Sequence, residues 1–314
     1  MTHGSNNHGG KKRWAIALHG GAGTIPRDSS DPLKQRHIDA LRIALTIGRE
    51  ILEQGGSSLD AVEQTVRSME DCPLFNAARG AAFNREGVNE LDAAIMDGRD
   101  LSTGAVAAIR YVKNPISLCR RIMEDGEHVL IVGPGAEAYA RNASLEMMDS
   151  AYFHTDERYA MWQRELESLA AKNGAGATVV QRGTVGAAAV DIFGNVAAAT
   201  STGGLTNKLP GRVGDSPIIG AGTFADNATC AVSCTCNGEE FIRKTVASRI
   251  AAQMEFKGQS LDDAMRDVVH NRLNADSGGV IGVDALGNAV LHFNSEGMNR
   301  GAADSTGRFE VAIW

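Results

Sequence analysis

No apolar run in this 314-residue chain approaches the roughly 20 residues that cross a bilayer, which excludes a membrane-spanning helix. No basic block is longer than Lys11-Lys12-Arg13, and 31 Lys and Arg against 38 Asp and Glu leave a formal charge of −7. Both speak against nucleic acid as a partner. Five cysteines, an odd number, rule out a fully paired disulfide framework and fit a reducing compartment. The run Trp14-Ala15-Ile16-Ala17-Leu18 is too short for the apolar region of a signal peptide. The reading is a cytoplasmic protein with a disordered tail over residues 1–13.

Familiar catalytic signatures are also missing. There is no Gly-x-x-x-x-Gly-Lys-Ser/Thr phosphate loop, no His-Glu-x-x-His, no Cys-x-x-Cys and no Gly-x-Ser-x-Gly. Gly133-Pro134-Gly135 resembles a nucleotide loop only weakly, and its proline removes an N–H where donors are wanted, so a nucleotide-binding α/β module is set aside. Even spacing puts Cys230, Cys234 and Cys236 on one strand face, but a thiolate metal site needs a fourth ligand; they read as small buried hydrophobes. Among few, scattered histidines only His19 has suggestive surroundings, and a structural role is expected for it.

What the chain does have is glycine, 36 residues without a collagen-like period, the mark of tight turns and close backbone approach. A buried strand over 14–18 ends in the glycine loop 19–23. Apolar spacing predicts helices over 32–54, from a Ser58 cap to Pro73, over 115–124, 154–172, 239–256 and 260–273. Strands are expected over 81–83, 91–96, 104–109, 129–132 and 184–202, the last folded at 191–195. Val190-Asp191-x-x-Gly194-Asn195 recurs as Val283-Asp284-x-x-Gly287-Asn288, which suggests two similar hairpins. Strands and helices in clusters fit an α+β helix–sheet–sheet–helix sandwich better than a doubly wound sheet.

Threonine among glycines carries the chemical signal: Gly183-Thr184-Val185-Gly186 opens a strand after a linker, and Thr200-Ser201-Thr202-Gly203-Gly204 closes the same hairpin. Ser233-Cys234-Thr235-Cys236-Asn237-Gly238-Glu239 ends a strand at a helix start. A Thr hydroxyl needs a neighbouring base, and the α-amino group of an N-terminal Thr, with a pKa of about 7.7–8.0, can serve as its own. That demands scission of the Gly183–Thr184 bond. Ordinary β-branched strand residues beside turn glycines would read the same by spacing alone.

These strings, with His19-Gly20-Gly21-Ala22-Gly23, Pro73-Leu74-Phe75-Asn76-Ala77, Leu91-Asp92-Ala93-x-Ile95-Met96-Asp97-Gly98, Gly211-Arg212-Val213-Gly214-Asp215-Ser216-Pro217 and Phe293-Asn294-x-Glu296-Gly297-Met298, resemble the plant-type L-asparaginase / isoaspartyl peptidase family over almost the whole chain from residue 14. The resemblance implies a four-layer αββα sandwich of the N-terminal nucleophile hydrolase type. It implies self-cleavage into an α subunit, residues 14–183 with a linker over about 172–183, and a β subunit, residues 184–314, two αβ units pairing into a heterotetramer. Thr184 is then the nucleophile of cleavage and of hydrolysis, and Thr202 supports its amine and hydroxyl. Thr235 and the N–H of Cys236 form the oxyanion hole, and Asn76 lies near the nucleophile. Arg212 takes the substrate α-carboxylate, Asp215 the α-ammonium, and backbone at Gly238 assists. The implied activity is release of L-aspartate from isoaspartyl dipeptides and from L-asparagine, with no catalytic cofactor. Carbonyls in the stretch 69–79 (Met69, Glu70, Cys72, Phe75, Ala77, Arg79) would hold a structural sodium or potassium ion.

The residues agree with that expectation. An isoaspartyl peptide or asparagine offers a free ammonium and a free carboxylate, and Arg212 and Asp215 complement that zwitterion; a plain loop salt bridge between them is the other reading. Two positions depart from the pattern. Cys236 stands where the family usually has Gly, so any positive φ there is strained, and Arg79 brings a guanidinium to the expected ion loop. The alternatives are a glycosylasparaginase-like hydrolase and an unprocessed amino-acid-binding relative without activity.

Overall fold

The computed structural model describes residues 13–23, 25–171 and 183–314. Along the chain run β1 (Ala15–Ala22), α1 (Asp31–Glu53), α2 (Ser58–Glu70), β2 (Leu91–Asp97), β3 (Thr103–Ile109), α3 (Pro115–Asp125), β4 (Leu130–Val132), α4 (Gly133–Asn142), α5 (Ser150–Phe153) and α6 (Asp156–Ala171). Then come β5 (Val185–Val190), β6 (Val196–Thr202), β7 (Thr223–Ala225), β8 (Cys230–Cys236), α7 (Gly238–Lys244), α8 (Val246–Lys257), α9 (Leu261–Arg266), a π-helical turn (Asp267–Arg272), β9 (Gly278–Asp284), β10 (Ala289–Phe293), β11 (Met298–Asp304) and β12 (Phe309–Ala312).

The strands make two sheets, one of eight in the order β12-β11-β1-β5-β6-β2-β3-β4 and one of four in the order β10-β9-β8-β7. Helices α1, α2 and α3 pack on the larger sheet, β1, β5 and β6 face β8 and β9 of the smaller one, and α8 and α9 pack on the smaller sheet. Strand alternation sorts the side chains accordingly. Ile16 and Leu18 point to the helices, whereas Ala15 and Ala17 point to the second sheet. Alanine dominates the face where β1, β5 and β6 meet the small sheet, with Ala188, Ala198 and Ala231 among its members. Small side chains let the two sheets approach closely. The outer interfaces carry the larger residues, such as Leu41, Leu45 and Phe75 on one side and Phe241 and Ile250 on the other.

Most expected elements are present, with shifts that have local causes. The cap of α2 is Ser57, not Ser58: its hydroxyl accepts from Asp60 N at 3.0 Å. Strand β1 continues through residues 19–22, which pair with β11 across a bulge, so the first glycines lie in the sheet rather than in a loop. Residues 81–83 contribute only an isolated bridge, Phe83 to Asn89. The expected helix over 239–256 is two helices, broken at Thr245 with φ +47°. Gly133-Pro134-Gly135 opens α4, a helix the periodicity did not announce. The echoed hairpins are real, since Asp191 and Asp284 each accept from backbone N–H groups two and four residues on. The tail over residues 1–12 and the linker over 172–182 lie outside the described residues.

Candidate active site

Thr184 immediately precedes β5, and β5 pairs with β6 so that Val185 faces Ser201 and Gly186 faces Thr200. The same register brings Thr184 beside Thr202, with 3.2 Å between the two hydroxyl oxygens. Three donors converge on the Gly183 carbonyl oxygen: the Thr184 hydroxyl at 2.8 Å, the Thr202 hydroxyl at 3.0 Å and Asn76 Nδ2 at 3.0 Å. The Asn76 amide is fixed at both ends, since Nδ2 also donates to Gly204 O at 2.6 Å and Oδ1 accepts from Ala82 N at 2.8 Å. Gly204 N donates to the Thr202 hydroxyl at 2.9 Å, which leaves the Thr202 proton for Gly183 O. A carbonyl gripped in this way is polarised toward attack, and donors aimed at its oxygen favour the negative charge that attack would place there.

Behind the threonine runs a polar chain that spacing did not reveal. His19 Nδ1 lies 3.0 Å from Thr184 O and His19 Nε2 lies 2.9 Å from Ser233 Oγ. A carbonyl only accepts, so Nδ1 carries the proton and Nε2 accepts from Ser233. Burial drives the His19 pKa down to about 4, against a smaller upward pull from its bond to Thr184. His19 is therefore neutral and holds the backbone of Thr184, a structural role. Ser233 Oγ meets Thr200 Oγ1 at 2.7 Å, and Thr223 Oγ1 donates to Thr200 Oγ1 at 2.7 Å, extending the chain across both sheets. A Cβ on Gly186 would collide with Ser233 Oγ and His19 Nε2, so only glycine at 186 permits this crossing.

The cleft in front of Thr184 is lined by Gly183, Thr184, Thr202, Arg212, Asp215 and Cys236, among others, and its free volume is about 10 Å3, room for a single water. Arg212 forks onto Glu239 at 2.9 and 2.8 Å rather than onto Asp215, so the plain loop salt bridge that was the other reading of this pair is not made. Asp215 is buried, its Oδ2 has no hydrogen-bond partner, and burial pushes its pKa up to about 6. Gly238 lies against both: a Cβ there would stand 2.8 Å from Arg212 Nη2 and 3.1 Å from Asp215 Oδ1. Glu239 is a site residue that spacing did not single out. Its one signal was adjacency to Gly238 at a helix start.

Strand β8 ends beside the cleft. The Thr235 hydroxyl is buried without a hydrogen-bond partner. Cys236 has φ +120°, a conformation that costs a non-glycine residue energy, and it breaks the alternation of its strand. Cys230 and Cys234 face α7–α9, whereas Cys236 turns toward the other sheet, so the three thiols do not share a face. All five cysteines are free of disulfides.

Residues 69–79 span the last two residues of α2 and the turn that follows it. The carbonyls of Met69, Glu70 and Cys72 accept from the backbone N–H of Cys72, Arg79 and Phe75. A Cβ on Gly80 would lie 2.5 Å from Pro73 O and 2.8 Å from Phe75 O, so carbonyl oxygens do crowd inward in this turn. Arg79 places its guanidinium over Tyr152, 5.6 Å from the ring centre. Leu74 O and Gly80 O accept from Arg158 at 3.3 and 2.7 Å. Among the described residues no group of three or more His, Cys, Asp or Glu side chains forms a metal site, and no helix is long and apolar enough to cross a membrane.

Three similar proteins are named for related activities. The chain is 48% identical over 299 residues to the isoaspartyl peptidase of Escherichia coli, covering 91% of each. It is 49% identical over 299 residues to the isoaspartyl peptidase of Salmonella typhimurium, covering 91% of this chain and 93% of that one. To the isoaspartyl peptidase/L-asparaginase of Danio rerio it is 39% identical over 290 residues, covering 92% and 91%. The sequence profile of the asparaginase family matches residues 12–313, so with these relatives the chain belongs to the asparaginase family.

Proposed function

We propose that the protein is a self-cleaving threonine amidohydrolase that releases L-aspartate from isoaspartyl dipeptides and from L-asparagine. The observation that carries this reading is the set of three donors on the Gly183 carbonyl oxygen, with the Thr184 hydroxyl among them. Attack of Thr184 Oγ1 on the Gly183 carbonyl carbon, held by Thr202 and Asn76, moves the acyl group from nitrogen to oxygen, the hydroxyl proton passing to the Thr184 nitrogen as the C–N bond breaks. Water then hydrolyses the ester, leaving a Gly183 carboxylate and a free Thr184 amine. Residues 14–183 become the α subunit and residues 184–314 the β subunit, and two such pairs assemble. Departure of Gly183 from the cleft, which it lines in the intact chain, opens the space a substrate needs.

In the second reaction the Thr184 amine takes the proton of its own hydroxyl, and the oxygen attacks the β-carbonyl of the substrate. The leaving amine departs with that proton, and water hydrolyses the β-aspartyl ester. Arg212 keeps Nη1 for the α-carboxylate while Nε and Nη2 stay on Glu239; a Cβ on Gly214 would sit 3.0 Å from Nη1, so glycine leaves that nitrogen approachable. Asp215, with its unpaired oxygen, receives the α-ammonium. The unpartnered Thr235 hydroxyl and the Cys236 N–H would stabilise the oxyanion. The helix, sheet, sheet and helix contacts support a four-layer αββα sandwich of the N-terminal nucleophile hydrolase type. A sodium or potassium ion on the carbonyls of residues 69–79 would brace the loop that presents Asn76 and take no part in bond making.

The test is a paired assay on one purified sample, intact mass first and then aspartate release from an isoaspartyl dipeptide and from asparagine. Fragments of 183 and 131 residues with release from the dipeptide are expected. Full activity from an uncut chain contradicts the scheme.

A further inference from the structure

Apart from the cleft at Thr184, the chain forms an open cavity of about 530 Å3, within the roughly 300–1,000 Å3 usual for small-molecule sites. Its walls include Phe83, Val88, Tyr111, Phe153 and His154, and among the described lining residues the one guanidinium is that of Arg110. No carboxylate stands among the described lining residues. Arg110 donates through Nη2 to Glu90 Oε1 at 2.9 Å and makes no other side-chain hydrogen bond among the described residues, so Nε and Nη1 remain for a ligand.

Glu90 connects this cavity to the active cleft. Its second oxygen accepts from Gly211 N at 2.9 Å, and its backbone carbonyl accepts from the buried Lys208 at 2.9 Å. Gly211 immediately precedes Arg212, which lines the cleft. One carboxylate thus ties the guanidinium in the cavity wall to the loop carrying the cation of the active site. Burial alone would raise the Glu90 pKa, but the Gly211 N–H and the Arg110 guanidinium outweigh it and hold the group below the usual carboxylate range.

We propose that this cavity binds a small aromatic carboxylate, which pairs with Nε and Nη1 of Arg110, draws the guanidinium off Glu90 and so loosens the Gly211–Arg212 segment. Aromatic walls accept the ring, the Arg110 guanidinium accepts the carboxylate, and the absence of acidic residues from the described lining favours an anion. The effect on catalysis rests on the role assigned above to Arg212; the binding site itself does not.

Phenylacetate is a suitable probe, titrated by calorimetry into the purified, processed protein. Saturable binding is expected, weaker by about tenfold in Arg110→Gln, which removes a charge-assisted hydrogen bond. Ala151 is an exposed residue of the cavity wall, and Ala151→Trp should fill the space, abolish binding and leave dipeptide hydrolysis unchanged without the probe. At saturation phenylacetate should raise the dipeptide KM by about fivefold or more, with kcat nearly constant. Absence of saturable binding, or equal binding by Ala151→Trp, places the anion elsewhere and overturns the proposal. Binding with an unchanged KM overturns the link through Glu90. If the protein hydrolyses no isoaspartyl dipeptide at all, the functional reading fails, and calorimetry on the same sample still decides whether the cavity is a site.

Discussion

Asn76 and Thr202 donate to the same carbonyl oxygen, that of Gly183, and each is itself immobilised by a backbone partner. Removing one such donor commonly costs about 10²–10³ in rate. Asn76→Ala should therefore slow self-cleavage by about that factor, read as the half-life of the intact chain on a gel. Asp215 makes a pH prediction. Burial pushes its carboxyl up to about 6, so below that pH it loses the charge that its proposed hold on the substrate ammonium needs, and the KM for an isoaspartyl dipeptide should rise as pH falls through about 6. Asp215→Asn should show a high KM without this limb. The linked stability runs the other way: a carboxyl raised by burial contributes stability that is complete below its unfolded pKa and is lost as pH rises through about 6. Cys236, at φ +120°, is the strained residue of the site. Cys236→Gly should raise stability by about 1 kcal/mol in denaturant unfolding, since strain of this kind costs on the order of 1–3 kcal/mol and part of the gain is offset by backbone entropy.

At the scale of elements, α2 is tied to β6 by one buried carboxyl. Glu70 Oε1 accepts from Ser201 Oγ at 2.7 Å and from Ile116 N at 3.0 Å, while Oε2 has no hydrogen-bond partner. Burial dominates and pushes its pKa up to about 8, so the folded chain keeps the proton where the unfolded chain releases it. Stability should fall as pH rises from 4.5, the unperturbed value, through about 8, and Glu70→Gln should flatten that slope in urea midpoints measured across the window. Elements of this kind were legible where periodicity is strong. The apolar face Leu59, Val62, Val66 and Met69 marks α2, and all four are buried. The helix α4 was not legible, because Gly133-Pro134-Gly135 looks like a loop, although a proline is well tolerated in a first helical turn. Nor was the turn of Cys236 away from its strand face, since period-2 alternation assumes an extended backbone throughout.

Across the whole molecule the site is assembled from pieces far apart in sequence: His19 from β1, Asn76 from the turn after α2, Thr184 before β5, Arg212 from a loop and Thr235 from β8. Local patterning identifies such pieces only as strand ends rich in glycine and hydroxyls. It says nothing of their meeting. The motif strings supplied that link for Thr184, Thr202, Arg212 and Asp215, whereas Glu239 on Arg212 and the His19–Ser233–Thr200 chain emerge only from the packing of the two sheets. Every role assigned to the cleft depends on scission ahead of Thr184. The most direct measurement is the intact mass of purified wild-type protein beside Thr184→Ala. The wild type should appear as fragments of 183 and 131 residues, the smaller beginning with Thr184, and the variant as a single uncut, inactive chain. A wild-type protein that remains one 33.1 kDa chain while hydrolysing an isoaspartyl dipeptide would contradict the account.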